Sequence, residues 1–217
     1  MTAPRPLVVI GAGGFGRESL DVIEALNAVG SRPVFDVLGV LDDAPSESNL
    51  QRLARRGIPY LGLIDDGMAE LSDGSAYVLG IGNPTIRARL DVQLAGRGLD
   101  LASVVHPGAG VGSEAQVASG AVICAGVQVS TNVILGRGVH LNPNATIGHD
   151  TVLENYVSVN PGAIVSGDCR VRRETLIGAG AVILQGLTVG AAALVGAAAC
   201  VTRDVPAGAT VKGAPAR

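Results

Sequence analysis

The chain has 217 residues, 47% of them hydrophobic, 16% charged and only 2% aromatic. Sixteen basic against 19 acidic side chains, a formal net charge of −3, leave no basic excess for nucleic acid and no charged tail to suggest disorder. The length suits one large domain or two small ones, and 31 glycines in an aliphatic, aromatic-poor chain predict a backbone that turns often around Val, Ile, Leu and Ala.

The N-terminus runs from Pro4 and Pro6 straight into Leu7-Val8-Val9-Ile10, without the long apolar stretch and cleavage site of a signal peptide. Leu7–Ile10 reads as a buried strand, followed by Gly11-Ala12-Gly13-Gly14-Phe15-Gly16 and a helix over 17–29 whose apolar spacing is carried by Leu20, Ile23 and Leu26. Val37–Leu41 reads as a second strand ending at Asp42-Asp43. Tyr77–Ile81 reads as a third, ending at Gly82-Asn83-Pro84, before a helix over 85–94. Residues 1–100 thus form a small Rossmann-like parallel α/β unit.

A G-x-G-x-x-G between strand and helix offers backbone N–H groups to a phosphate, and an acid after the next strand offers a bond to a ribose. The favoured reading is nucleotide or nucleotide-sugar binding. About 100 residues leave little room for a full NAD(P) fold, and a plain tight turn is the remaining alternative.

From Val105 a different rule takes over. Every sixth residue to Val201 is aliphatic, 17 in succession without an insertion. Such a hexapeptide period is the mark of a parallel β-helix. With the aliphatic residue as position one, position three holds Pro107, Pro143 and Pro161, and position four is Gly, Asn or Asp in 12 of the 17 hexads. Those are the residues of a turn that needs φ > 0 at its third residue. Position five is small and points inward beside position one. If three hexads close a coil, each turn takes 18 residues and the repeat makes between five and six coils, stacked about 4.8 Å apart. The repeat passes unbroken through the uncharged stretch 175–202, so that stretch is not read as a membrane span. Three cysteines, Cys124, Cys169 and Cys200, odd in number and without a CxxC pair, argue against disulfides or a zinc site and fit a reducing cytoplasm.

This order of parts resembles one family, the hexapeptide-repeat acyltransferases that include sialic acid O-acetyltransferase and the UDP-4-amino-sugar N-acetyltransferase of the bacillosamine pathway. The resemblance rests on the Gly11–Gly16 loop, Leu41-Asp42-Asp43, Ile81-Gly82-Asn83, His106-Pro107, Ile147-Gly148-His149-Asp150, Pro161-Gly162-Ala163 and Gly213-Ala214-Pro215-Ala216-Arg217. It implies three hexads to a coil in a left-handed winding, acetyl-CoA as co-substrate, no metal, and a homotrimer with its site between neighbouring prisms.

Of three histidines, His106 precedes a turn proline and reads as structural, and His140 at position six reads as a surface residue. His149 occupies the proline slot of a turn and should project from a corner. The resemblance makes His149 the general base, assisted by Asp150. Imidazole suits that work near neutral pH. One coil on, at 149 plus 18, stands Gly167, whose amide the resemblance assigns to the thioester oxyanion. Asn142 and Asn160, also 18 apart, should stack on the adjacent hexad, and the resemblance places Asn142 near the acceptor.

The resemblance further places Gly13, Gly14, Phe15, Asp42, Asp43, Gly82 and Thr85 in the acceptor pocket. It places Ser158, Gly178, Ala179, Gly196 and Ala197 along acetyl-CoA. Ser158 stands where the family has a histidine, with His140 one coil below it, and Phe15 stands where some members have a histidine. No cysteine neighbours a histidine in sequence, so direct transfer is expected rather than a covalent enzyme intermediate. The expected function is acetylation of the amino group of a UDP-, dTDP- or GDP-linked 4-amino-sugar. O-acetylation of a sugar such as sialic acid is the near alternative, and a non-catalytic scaffold the distant one. A hexapeptide carbonic anhydrase is set aside, because separations of 34 and 9 keep the three histidines out of one column.

Overall fold

A computed structural model describes residues 3–217. The first part is a four-stranded parallel sheet in the order β2-β1-β3-β4, formed by β1 (Arg5–Ile10), β2 (Phe35–Leu41), β3 (Ala76–Leu79) and β4 (Asp100–Leu101). Helices α1 (Gly14–Asn27), α2 (Glu47–Arg55), α3 (Ile64–Ala69) and α4 (Pro84–Leu94) connect these strands. The sheet's central residues Leu7 to Ile10 and Ala76 to Leu79 are buried, as parallel strands covered on both faces must be.

The sequence pattern misses α2 and α3. The first buries only Leu53, which gives it no apolar stripe, and the second spans 6 residues. Ser46 caps α2 by accepting from the Asn49 amide. Where the Gly-rich loop turns into α1, a methyl group at Gly16 would stand 1.8 Å from the Gly11 carbonyl oxygen. That glycine is therefore demanded by the close approach of helix and strand.

From Val104 onward the chain is the left-handed parallel β-helix that the repeat and its resemblance imply. Two-residue strands build three parallel sheets of 7, 6 and 5 strands, the faces of a triangular prism. The register is 18 residues, as in Leu141 against Val159 and Ile147 against Val165, until the last coil, where Leu194 pairs with Thr210 and Val195 with Val211. Position-one residues from Ile123 to Val201 are all buried, forming one aliphatic column per face. At the open lower end Val111 and Val117 stay exposed.

The corners obey the turn rule more widely than composition suggests. Every position-four residue from Glu114 to Ala198 has positive φ, including Glu114, Tyr156, Glu174, Ala192 and Ala198 at 54° to 61°. A non-glycine residue so placed costs about 1 kcal/mol. The stacking compensates. From Asn132 to Ala198 each position-four amide donates to the position-three carbonyl one coil below, as Asp150 N–H does to Thr131 and Asp168 N–H to His149.

The α/β unit lies against the seven-stranded face. Its outward residues Val104, Val122, His140 and Ser158 are buried, and α1 packs on the lower two of these coils. This corrects the surface reading of His140. Position six does point away from the prism interior, but on this face it points into the interdomain contact, where the ring stacks on Phe15 with centroids 4.4 Å apart.

Candidate active site

His149 sits on the corner between the six- and five-stranded faces, with its side chain 52% exposed. Its Nδ1 is 2.7 Å from Asp150 Oδ2, and the other carboxylate oxygen accepts from Asn132 Nδ2 at 3.0 Å. Hydrogen bonds from Asn132 and then His149 hold the Asp150 carboxyl below its ordinary value. An ionised carboxylate at Nδ1 fixes the tautomer in which Nε2 carries the lone pair.

That Nε2 faces Gly167. A methyl group there would stand 2.5 Å from Nε2 and 2.6 Å from Cε1, so only glycine lets the imidazole lie against the next coil. The Gly167 N–H donates to no protein acceptor among the described residues. Gly148 completes the opening, because a methyl group on it would stand 2.4 Å from the Gly167 nitrogen. A ring nitrogen with a fixed lone pair beside an unspent backbone donor can remove a proton from a nucleophile and stabilise a developing oxyanion.

The other expected residues fall into two further places. Asn142, Gly178, Ala179, Gly196 and Ala197 lie on the neighbouring corner, between the seven- and six-stranded faces. Asn142 is 8% exposed, and its Nδ2 donates to the Val159 carbonyl at 3.0 Å and to Asn160 Oδ1 at 3.4 Å. Ala179 and Ala197 form an exposed shelf of small side chains. Gly178 has a reason of its own, since a methyl group on it would meet the Ala197 nitrogen at 2.6 Å. Within one chain the whole six-stranded face separates this corner from His149.

Ser158 does not fit its expected cofactor contact. It is 1% exposed, its hydroxyl donating to the Gly82 carbonyl at 3.1 Å and accepting from Arg87 Nη2 at 2.9 Å. The coil position is as expected, one above His140, but the α/β unit covers this face.

Gly13, Gly14, Asp42, Asp43, Gly82 and Thr85 gather at the carboxyl ends of the parallel strands, the usual ligand crevice of such sheets. Gly13 and Gly14 face open space. Asp42 accepts from the Ala12 and Ala44 amides and Asp43 from the Ile64 amide, so both acids also hold the crevice in shape. Phe15, half-buried, is committed to His140. Thr85 borders a cleft of about 160 Å³ between the α4 N-terminus and Glu174, Leu176 and Ala192–Leu194 of the later coils. A roomier cavity of about 570 Å³, lined by Arg5, Asp100, Ser103, Ser119 and Arg137 among others, contains none of the expected site residues.

Two further residues escape the sequence reading. Asn132 is one, though 150 minus 18 names it. The other is Arg87, which is fully buried and joins the two halves. It donates to the carbonyls of Ile81, Gly82, Gly138, Tyr156 and Val157 and to Ser158 Oγ. Burial pulls its pKa down to about 9, which still leaves it charged at neutral pH. One turn on, Asp91 accepts from Arg137 and from the Tyr156 hydroxyl, both at 2.5 Å. Burial alone would raise its carboxyl, but these bonds outweigh it and hold the group below its ordinary value. The sequence signal is a charged pair at i and i+4 on the buried stripe of α4, in line with Pro84, Leu90 and Leu94.

Comparison with known proteins identifies the family. Residues 6–94 match the family model of the PglD N-terminal domain. No curated protein sequence matches. Among solved structures, the acetyltransferase domain of PglB from Neisseria gonorrhoeae FA1090, in complex with acetyl coenzyme A, is 34% identical over 99% of both chains, with a TM-score of 0.87. WeeI from Acinetobacter baumannii AYE is 30% identical over 98% of this chain and 99% of its own, with a TM-score of 0.86. A mutant of perosamine N-acetyltransferase from Caulobacter crescentus, in complex with CoA and GDP-perosamine, is 25% identical over 98% and 95%, with a TM-score of 0.85. The chain belongs to the hexapeptide-repeat sugar acyltransferases, a family of acetyl-CoA-dependent enzymes.

Proposed function

We propose that the protein transfers an acetyl group from acetyl-CoA to the amino group of a nucleotide-linked 4-amino-sugar, with His149 as general base. The observation that carries this is the corner itself: Asp150 on Nδ1 at 2.7 Å, Nε2 turned to Gly167, and the Gly167 N–H unspent. Related structures in complex with acetyl coenzyme A and with CoA and GDP-perosamine support the pair of substrates and favour an amine acceptor over a hydroxyl.

In this reading the neutral amine attacks the thioester carbonyl carbon, and Nε2 takes the proton it loses. The carbonyl oxygen, now an anion, accepts from the Gly167 N–H. The C–S bond then breaks, and the imidazolium returns its proton to the departing thiolate, leaving amide and free CoA. Asp150 stabilises the charged ring between these steps. The nucleotide phosphates would meet the open Gly13-Gly14 backbone at the start of α1.

The small-residue shelf at Ala179 and Ala197 suits a pantetheine arm lying close to the backbone. It stands one corner away from His149 in the same chain, so a single prism holds the two halves of the site apart. A second copy, presenting its shelf to this chain's His149, would close the site, and threefold symmetry would close the assembly as a homotrimer. Free cysteines at 124, 169 and 200 are in keeping with a cytoplasmic enzyme. No helix among the described residues is long and apolar enough to cross a membrane.

The test is release of free CoA from acetyl-CoA in the presence of UDP-, dTDP- and GDP-linked 4-amino-sugars. His149→Ala should lower turnover by about 10³-fold. Near-normal turnover in that variant would rule out the base, and failure of every amino-sugar acceptor would rule out the substrate class.

A further inference from the structure

The β-helix contains a small device used only four times. A hydroxyl or thiol on the inner side of a corner donates to the carbonyl 15 residues further on: Ser103 to Ala118 at 3.1 Å, Thr151 to Ser166 at 3.0 Å, Cys169 to Leu184 at 3.2 Å, and Thr175 to Gly190 at 2.8 Å. At all other fifth positions of the repeat the side chain is Ala, Val or Leu, and no such bond can form. Two of the four, Thr151 and Cys169, follow each other on the corner that carries His149.

Thr151 is fully buried. Its Oγ1 accepts from the Cys169 N–H at 3.3 Å, which directs the hydroxyl proton toward the Ser166 carbonyl. That carbonyl receives no backbone N–H among the described residues. It belongs to the same planar peptide group as the Gly167 N–H. In a trans peptide the two point in opposite directions. An inward carbonyl anchored on Thr151 therefore sends the N–H outward, past Gly148, to the side where the imidazole lies. The bond also draws electron density toward the Ser166 oxygen, which makes the N–H at the far end of the same amide a stronger donor.

We infer that Thr151 is a positioning residue for acetyl transfer, setting the plane and donor strength of the Ser166–Gly167 peptide from inside the prism. The inference rests on the proposed role of the Gly167 N–H and extends it to a residue that touches neither substrate. Cys169 serves as the second anchor, its thiol lying 3.6 Å from the Gly167 carbonyl as well as 3.2 Å from that of Leu184. The opposite faces of Gly167 are thus held by two consecutive coils.

The experiment compares Thr151→Val, Thr151→Ser and Thr151→Cys with Thr175→Val, which removes the same device from a corner that carries none of the expected site residues. All are assayed with acetyl-CoA and the best acceptor of the nucleotide amino-sugar panel, and each is melted to record its stability. Thr151→Val should lose about tenfold in kcat, with both KM values within about twofold of wild type. Thr151→Ser should restore kcat and Thr151→Cys, a weaker donor, should fall between them. Thr175→Val should lose stability but keep kcat, whereas a merely structural role of these hydroxyls predicts the same kcat in Thr175→Val and Thr151→Val. Wild-type kcat in Thr151→Val beside an inactive His149→Ala overturns this inference alone. Equal kcat losses in Thr151→Val and Thr175→Val, or a kcat order unrelated to donor strength, overturn it too. An active His149→Ala overturns the base on which both readings stand.

Discussion

The two halves of the molecule place their chemistry by opposite means. In the β-helix one rule is repeated every six residues, and the candidate site is set into it: a histidine in a corner slot that takes proline at three other corners, an aspartate in the slot for positive φ, and a glycine one coil above. In the α/β unit nothing repeats, and each special residue answers to a single contact, as Gly16 does to the Gly11 carbonyl and Asp42 to the Ala12 amide. Substitutions therefore act differently in the two halves. A change on a prism corner has a neighbour 18 residues away that serves as its control, whereas a change in the crevice disturbs fold and ligand together.

The sharpest way to break this comparison is Gly167→Ala. The corner geometry tolerates alanine at position three, as Ala179 and Ala197 demonstrate, so the fold should survive. The added methyl group would stand 2.5 Å from Nε2 and must push the imidazole aside. Turnover should fall by about 10²-fold while the melting temperature changes little. Normal turnover would mean that the ring does not work against this coil.

The seam between the halves gives the next effect, read through pH. Asp91 is held below its ordinary value by Arg137 and Tyr156, whereas an unfolded carboxyl of this kind titrates near 3.8. In the window below that value the folded protein binds fewer protons than the unfolded one. Stability from this group is therefore present above about pH 4 and is lost as pH falls toward the folded value, at up to about 1.4 kcal/mol per pH unit. Melting temperatures recorded from pH 6 to pH 3 should fall more steeply for wild type than for Asp91→Asn. Parallel curves would remove Asp91 as an acid-sensitive joint.

How legible each half was follows from the same contrast. The β-helix, its 18-residue register and the facing of His149 and Gly167 could be read because a period of six tolerates no ambiguity over 17 repeats. Three of the four strands of the α/β unit and helices α1 and α4 are readable to within a few residues from apolar spacing, whereas β4, of 2 residues, and α2, which buries one side chain, leave no pattern to read. What the repeat could not say is which face of the prism the first domain would cover. That one unknown accounts for His140, read as exposed and found buried, and for Ser158, read as a cofactor contact and found bonded to Arg87 and Gly82. Periodicity fixes what points inward; the outward positions of a face depend on a docking contact made by residues far away in sequence.

Asn132 offers the finest test of the column rule. It stands one coil below Asp150, in the same left-handed conformation, and donates to the carboxylate oxygen that His149 leaves free. Asn132→Gly keeps the backbone at ease at φ of 59° while removing the amide. Asp150 then loses the first of the bonds that hold its carboxyl low, but keeps His149. A carboxylate with one anchor instead of two can swing, and the imidazole it orients loses part of its fixed geometry. Turnover should fall by a few-fold, with the KM for acetyl-CoA unchanged. The loss should vanish when Asp150→Asn is already present, because the amide then has no charge to hold. Additive losses in the double variant would place Asn132 outside the chain of contacts that runs from the lower coil through Asp150 to the ring.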